Sequence, residues 1–94
     1  MVTREEFLEK LNLAHSFPCA YTFKLFGPND EAFGIEVRSV LVKHLPAVQP
    51  SISNRPSSKA NHQCITVVVD VPDAETVAAM YADFHSIDRL IMLL

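Results

Sequence analysis

Cys64 and His62 stand two positions apart and are the residue types that form a thiol nucleophile with its general base. On a strand, residues two apart point to the same side, so the two side chains could touch. A reactive thiol also needs a cationic neighbour that lowers its pKa and a third group that orients the base. The sequence shows neither, so we predict that the chain is not an enzyme and keep a cysteine-dependent reaction as the least favoured alternative.

Metal chemistry finds no better support. The two cysteines, Cys19 and Cys64, lack the repeated close spacing of a zinc site or of a disulfide framework, which predicts buried, reduced thiols. The histidines are not spaced like ligands on one element; they are His15, His44, His62 and His85. We therefore predict neither a metal nor a cofactor.

A small anion is the ligand that residues 57–61 match best. Ser57-Ser58-Lys59-Ala60-Asn61 offers hydroxyls, an ammonium and an amide that could hold a carboxylate or a phosphate. The same serines and asparagine could instead bond their own backbone to shape a hairpin. The predicted ligand-binding residues are Lys24, Ser57, Ser58, Lys59 and Asn61.

A second possible anion site is the turn Gly27-Pro28-Asn29-Asp30, which precedes a predicted helix. Exposed amides at a helix N-terminus attract anions. Asp30 and Glu31 oppose an anion there, and capping of the helix explains the same residues.

The helices and strands that must position these groups are predicted from the spacing of apolar residues and from capping patterns. Thr3 and Glu6 form a capping-box pattern that starts a short amphipathic helix. Strands are predicted over residues 20–26, 63–71 and 90–94, with a weak edge strand or extended segment between Pro46 and Pro56. A helix from Asn29 or Asp30 runs to about residue 44, and another begins at Asp73. Their core-facing residues are Phe33, Val37, Val40, Leu41, His44, Val77, Met80, Tyr81 and Phe84.

This order predicts an α+β fold of the ferredoxin-like βαββαβ type. Right-handed crossovers place two helices on one face of a four-stranded antiparallel sheet in spatial order 4-1-3-2, and leave the other face open. A chain of 94 residues makes one domain. We divide residues 1–94 into an N-terminal helical extension, 1–15, and a ferredoxin-like core, 17–94.

Composition excludes several classes of function. With only two glycines, no glycine-rich nucleotide loop can be built. The net charge of −3 and the scattered basic residues disfavour nucleic acid as a partner. No apolar run is long enough to span a bilayer, which predicts no membrane association, and the N-terminus does not read as a signal peptide. We expect a cytoplasmic protein.

Several segments resemble a small bacterial family typified by the YbeD protein. They are Phe17-Pro18, Tyr21-Thr22-Phe23-Lys24-Leu25-Phe26-Gly27, Pro56-Ser57-Ser58-Lys59-Ala60-Asn61 and the ending from Tyr81 to Leu94. The resemblance implies a ferredoxin-like fold similar to the ACT regulatory domains of amino-acid metabolism, with no demonstrated enzymatic activity. Ala60 stands where the family usually has glycine, so we expect Asn61 to take up the turn instead.

Hydrophobic residues make up 49% of the chain, which exceeds what so small a core needs. If Leu90, Met92 and Leu94 face the core, Ile91 and Leu93 lie on the open sheet face beside Phe26 and Val68. A second apolar set lies on the outward side of the first long helix. The N-terminal helix could cover one of these surfaces. The predicted interface residues are Phe26, Val68, Ile91, Leu93, Ile35 and Val42.

These observations predict a non-catalytic regulatory or adaptor domain, ACT-like, that binds a protein partner or a second copy through the open sheet face. The alternative is a domain that senses a small anion or an amino acid through the loop of residues 57–61.

Overall fold

The computed structural model describes residues 3–94, which form three helices and a four-stranded sheet. In chain order the elements are α1 (Arg4–Ala14), β1 (Cys19–Pro28), α2 (Glu31–His44), β2 (Ser51–Pro56), β3 (His62–Val71), α3 (Ala74–His85) and β4 (Met92–Leu93). The strand order β2-β3-β1-β4 is the predicted 4-1-3-2 order read from the other edge, and every pair is antiparallel. The predicted ferredoxin-like α+β architecture is confirmed.

Each helix begins at a side chain that caps it. Thr3, Asp30 and Asp73 accept hydrogen bonds from the backbone N–H three residues further on, at 3.1, 2.9 and 2.8 Å. Such caps satisfy amides that have no partner within the helix. Because cap residues can be read from a sequence, all three starts agree with the predicted ones.

The core lies between the sheet and the helices. Phe23 and Leu25 on β1 alternate with exposed or half-buried residues, and Ile65, Val67 and Val69 do the same on β3. Facing them are the buried residues of α2 and α3, which include Phe33, Val37, Val77, Met80 and Phe84. Since the alternate residues of β1 and β3 remain outside this core, the sheet has one covered and one open face.

Helix α1 packs on α3. Leu11 is buried, and the Phe7 ring meets the Tyr81 ring edge-on at 5.7 Å between centroids. The N-terminal helix therefore covers neither the open face of the sheet nor the outward side of α2, the two surfaces that the sequence suggested for it. It extends the helix layer and leaves the open face of the sheet uncovered.

Polar contacts also connect α2 with α3. Asp83 on α3 accepts a hydrogen bond from Lys43 at 2.9 Å and lies 2.6 Å from Nε2 of His44, both at the end of α2. His44, predicted on the core-facing stripe, is half-buried at the rim of the core.

The last strand differs from the prediction in length and in phase. β4 spans two residues, and its pairs are Leu25 with Leu93 and Phe26 with Met92. Leu25 is fully buried, so Leu93 lies on the core side, where it packs against the core. The predicted alternation, with Met92 and Leu94 inside and Leu93 on the open face, is wrong by one residue.

The loop between β2 and β3 also corrects the prediction. Ala60 adopts a left-handed backbone with φ of 57°, and no other non-glycine residue among 3–94 has a positive φ. Asn61 therefore does not take up the turn. A β-carbon makes this conformation unfavourable, so Ala60 carries local strain.

Candidate functional site

The open face of the sheet is the candidate site. One row of cross-strand neighbours runs across all four strands, from Arg55 through Cys64 and Phe26 to Met92. The last three of these side chains present sulfur and carbon to the surface. Met92 remains 46% exposed, although burial of its apolar side chain would stabilise the protein.

The neighbouring row contains Ser53, Thr66, Lys24 and, opposite Lys24, Leu94. Lys24 and Leu94 exchange two backbone hydrogen bonds of 3.0 and 2.8 Å, which hold the end of the chain flat against β1. Leu94 is 58% exposed.

Further apolar side chains continue the patch. Val68 on β3 is exposed on the same face, and Ile91, just before β4, is 60% exposed. The Ile91 N–H donates to the carbonyl of Phe26 at 2.7 Å, so this residue also lies beside β1. We call Phe26, Val68, Met92 and Leu94, together with Ile91 at the edge of the sheet just before β4, the open-face patch.

Two cations border the open-face patch. Arg55 stands at one end of the row that contains Cys64, Phe26 and Met92, and Lys24 stands in the next row. Asp70 lies opposite Ala20 at the far end of the sheet. The face thus combines exposed apolar surface with local positive charge, although the whole chain has a net charge of −3.

Sequence reasoning found part of this patch. Phe26, Val68 and Ile91 are exposed or half-exposed as predicted, while Leu93 belongs to the core side. Met92 and Leu94 were missed, because Leu90 to Leu94 is an unbroken apolar run in which no polar residue marks the phase of the strand. Ile35 and Val42 are exposed on α2, far from this face.

Backbone groups of residues 57–61 and the hydroxyl of Ser57 close the β2–β3 hairpin. The Ser57 N–H donates to the carbonyl of His62, the His62 N–H donates to Ser57 Oγ, and the Ala60 N–H donates to the carbonyl of Ser57. Asn29 binds the loop from the side, through its backbone N–H to the Asn61 carbonyl and its side-chain amide to the Ala60 carbonyl. Of the side chains that the structural interpretation assigned to the hairpin, Ser57 bonds the backbone in this way, whereas no such bond is formed by the Ser58 or Asn61 side chain with residues 3–94.

Lys24 does not join that loop. It pairs with Thr66, whereas the loop begins at the pair Pro28–His62, four residues further along β1. At about 3.3 Å per residue the two positions are about 13 Å apart. The structure therefore separates Lys24 from Ser57, Ser58, Lys59 and Asn61, which stay together in the exposed loop.

The N-terminus of α2 is already occupied by a carboxylate. Asp30 accepts the Phe33 N–H at 2.9 Å and two hydrogen bonds from Arg89 at 2.6 and 3.3 Å. Arg89, followed by the Phe33 amide, holds the pKa of the Asp30 carboxyl below its usual range. Glu36 accepts a further bond from Arg89 at 3.0 Å. An external anion would have to displace Asp30.

A buried glutamine, which the sequence did not single out, organises this end of the sheet. Gln63 is 6% exposed and donates to the carbonyls of Pro28 and Asp30 at 3.0 and 3.2 Å, while its oxygen accepts from Asn54 at 3.1 Å. It forms part of the floor of a groove of about 480 Å³ between α2 and β2.

The two thiols lie apart on neighbouring strands, and the two tyrosine hydroxyls bond to each other. Cys19 and Cys64 are both free and half-buried, and Cys64 pairs with Phe26, seven residues along β1 from Cys19. The Tyr21 and Tyr81 hydroxyls lie 3.0 Å apart, and burial, helped by this bond, raises the pKa of Tyr81 far above its usual range. Tyr81 therefore stays protonated at neutral pH and ties α3 to β1.

Residues 3–94 contain neither a metal-binding cluster nor a membrane-spanning helix. No group of three or more histidine, cysteine and carboxylate side chains comes together in a way that could hold a metal ion. In the same range, no helix has the length and apolar character needed to cross a bilayer.

Comparison with known proteins gives matches along most of the chain. Residues 13–94 match a family model described as a protein of unknown function (DUF493). A UPF0250 protein of Sodalis glossinidius is 30% identical over 86 residues, covering 90% of this chain and 97% of the relative. One from Idiomarina loihiensis is 34% identical over 73 residues, covering 77% and 81%.

Two solved structures share the fold. The solution structure of protein HP0495 from H. pylori matches with a TM-score of 0.68 and 12% identity over 85% of each chain. The ACT domain from GTP pyrophosphokinase of Chlorobium tepidum matches with a TM-score of 0.64 and 6% identity, covering 80% of this chain and 94% of that domain. At these identities the likeness concerns the fold alone.

Proposed function

The chain belongs to the DUF493 family, and from this premise we propose that it is a non-catalytic, ACT-like regulatory or adaptor domain that binds a partner protein through the open-face patch. The single observation that carries this proposal is that the side chains of Met92 and Leu94 lie exposed together on a sheet face that no helix of residues 3–94 covers. Contiguous exposed apolar surface on a small domain marks a surface that binds another molecule.

The geometry also indicates what kind of partner fits. A sheet face is broad and nearly flat, and it presents apolar side chains at its centre with Lys24 and Arg55 beside them. Apolar centres with charged surroundings are typical of protein interfaces, in which charge steers the encounter and apolar contacts supply affinity. We expect the partner to present an apolar patch bordered by aspartate or glutamate.

Other observations support a role without catalysis. Asp30 forms an ion pair with Arg89, which lowers the pKa of its carboxyl. Asp83 contacts Lys43 and His44, which lower its pKa in the same way. Ion-pair networks that hold a fold together lower carboxyl pKa values in the same way as active sites do, and each of these two carboxylates already has its cationic partner. The proposal therefore rests on a surface and not on a cavity.

The test is affinity capture from the native cell with the wild-type chain, with Met92→Asp and with Leu13→Asp. Leu13 is 82% exposed on α1, remote from the sheet face, so its substitution makes the same chemical change on another surface. A carboxylate at residue 92 would have to lose its water in the interface, which strongly disfavours the complex. We expect wild type and Leu13→Asp to retain one protein in common and Met92→Asp to lose it.

Retention of that protein by Met92→Asp, or no retained protein for any of the three chains, would contradict the proposal. Circular dichroism of each variant establishes that the loss is not caused by unfolding, since both substituted side chains are exposed.

A further inference from the structure

Helix α2 presents a stripe of exposed residues on the side away from the core. Glu31, Ile35 and Arg38 follow one another at intervals of four and three residues, which places them on one helix face. Ile35 is 57% exposed, and neither Glu31 nor Arg38 forms an ion pair with any of residues 3–94. The stripe thus carries a negative end, an apolar centre and a positive end.

The same stripe borders the groove between α2 and β2. Glu31, Gly34, Ile35 and Arg38 form one wall of the groove, and Ile52, Ser53 and Asn54 of β2 form the other. β2 is an edge strand, paired with β3 on one side only. The outer edge of a strand exposes backbone groups that tend to be covered by another strand, a helix or a second molecule.

We propose that a second copy of this chain docks on the α2 stripe, with the two α2 helices antiparallel across a two-fold axis. Glu31 and Arg38 lie at equal distances, in sequence, from the point between Gly34 and Ile35. An axis at that point places Glu31 of each copy opposite Arg38 of the other, so that one surface supplies both partners of two ion pairs. This self-complementarity is what a two-fold interface requires.

Gly34 allows the helices to approach each other at the axis. A β-carbon at this position would meet nothing within 4 Å, so the fold of the single chain gives no packing reason for a glycine here. In the dimer, the missing side chain makes room for Ile35 of the second copy.

A different register is less favourable. An axis between Arg38 and Ser39 would bring Ile35 against Val42 of the second copy, which pairs two exposed apolar side chains. It would also bring the two Arg38 side chains together, and like charges in an interface disfavour association. Charge therefore selects the register centred on Gly34 and Ile35.

The proposed dimer is independent of the proposed function. α2 lies on the helix side of the sheet, so a second copy on its stripe leaves the open-face patch accessible. A monomeric chain could still bind a partner protein, and a dimer could lack one, so the two proposals fail separately.

Charge reversal gives the test, with sedimentation equilibrium as the measurement. Glu31→Arg makes both ends of the stripe positive, and Arg38→Glu makes both ends negative. Each change replaces two attractive contacts in the dimer by two repulsive ones, so we expect the dissociation constant of each to rise at least about ten-fold. Mixing the two single variants restores both ion pairs, and we expect the mixture to form a heterodimer.

Glu75→Arg is the matched control. Glu75 and Glu31 are both acidic residues in the first turn of a helix, so both reversals remove a similar interaction with the helix dipole. The control should dimerise like the wild type. A wild-type chain that stays monomeric at millimolar concentration, single reversals that dimerise normally, or a mixture without heterodimer would each overturn the proposal.

Discussion

The ring of Phe33 lies against the α-carbon of Gly27. A β-carbon on residue 27 would overlap the carbon atoms of that ring, which is completely buried. Gly27 stands near the end of β1 and Phe33 in the first turn of α2, so this contact seats the helix on the sheet. Residue 27 must therefore be glycine, because the Phe33 ring occupies the space that a β-carbon would need.

The first prediction follows from that contact. Gly27→Ala forces the Phe33 ring to move within a packed core, and we expect the free energy of unfolding to fall by about 1–3 kcal/mol in urea denaturation. Gly34→Ala, measured at a concentration at which the chain is monomeric, is the control, because its β-carbon meets nothing within 4 Å of the same chain. It should raise the free energy of unfolding by up to about 1 kcal/mol, since alanine favours a helix. Equal effects at the two glycines would refute this account.

The second prediction concerns the strained turn. Ala60 has a φ of 57°, so glycine at this position removes a steric cost of about 1–2 kcal/mol, partly offset by the greater entropy of the unfolded chain. We expect Ala60→Gly to raise the midpoint of thermal unfolding. Asn61→Gly should not raise it, because Asn61 does not have a positive φ. A gain from Asn61→Gly instead would show that the turn is formed differently.

The third prediction tests how α1 is held. Leu11 is buried against the core while Leu13, on the same helix, is exposed. Leu11→Ala should lower the free energy of unfolding by about 2–3 kcal/mol, and Leu13→Ala by less than about 0.5 kcal/mol. Chemical denaturation of the two variants measures both values. If Leu11→Ala is as mild as Leu13→Ala, α1 does not pack as described.

The fourth prediction concerns acid pH. Arg89 lowers the pKa of Asp30, and Lys43, followed by His44, lowers the pKa of Asp83. A carboxyl whose pKa is lower in the folded than in the unfolded chain stabilises the fold above the unfolded pKa of about 4, and this stabilisation is lost as the pH falls further. Stability should therefore decrease on acidification below about pH 4.

Asp30→Asn and Asp83→Asn are the variants that check this pH dependence. Each should show a flatter curve of unfolding midpoint against pH than the wild type between neutral pH and about pH 3. Curves with the wild-type slope would mean that these carboxyls do not contribute.

Much of the fold could be predicted because its signals are local. Asp30 and Asp73 mark helix starts through a side chain and a backbone amide three residues apart, and the alternation on β3 is read directly from its β-branched residues. Each of these signals depends only on neighbours in the sequence.

The open face was predicted less completely, since its composition depends on a tertiary relationship. Met92 faces outward because Phe26 lies opposite it, and nothing within an unbroken apolar run defines that register. The role of Gln63 was missed for the same reason, since its partners Pro28, Asp30 and Asn54 come from three different segments. Docking of α1 on α3 rather than elsewhere is likewise decided by Phe7 and Tyr81, far apart in the chain.

The central claim is that the open-face patch binds a partner protein. The most direct measurement is the dissociation constant of the captured partner from wild type, Met92→Asp and Leu13→Asp, determined by titration calorimetry. We predict that Met92→Asp weakens binding at least about ten-fold, as expected for a central apolar contact, while Leu13→Asp leaves the constant unchanged. Equal dissociation constants for wild type and Met92→Asp would contradict the account.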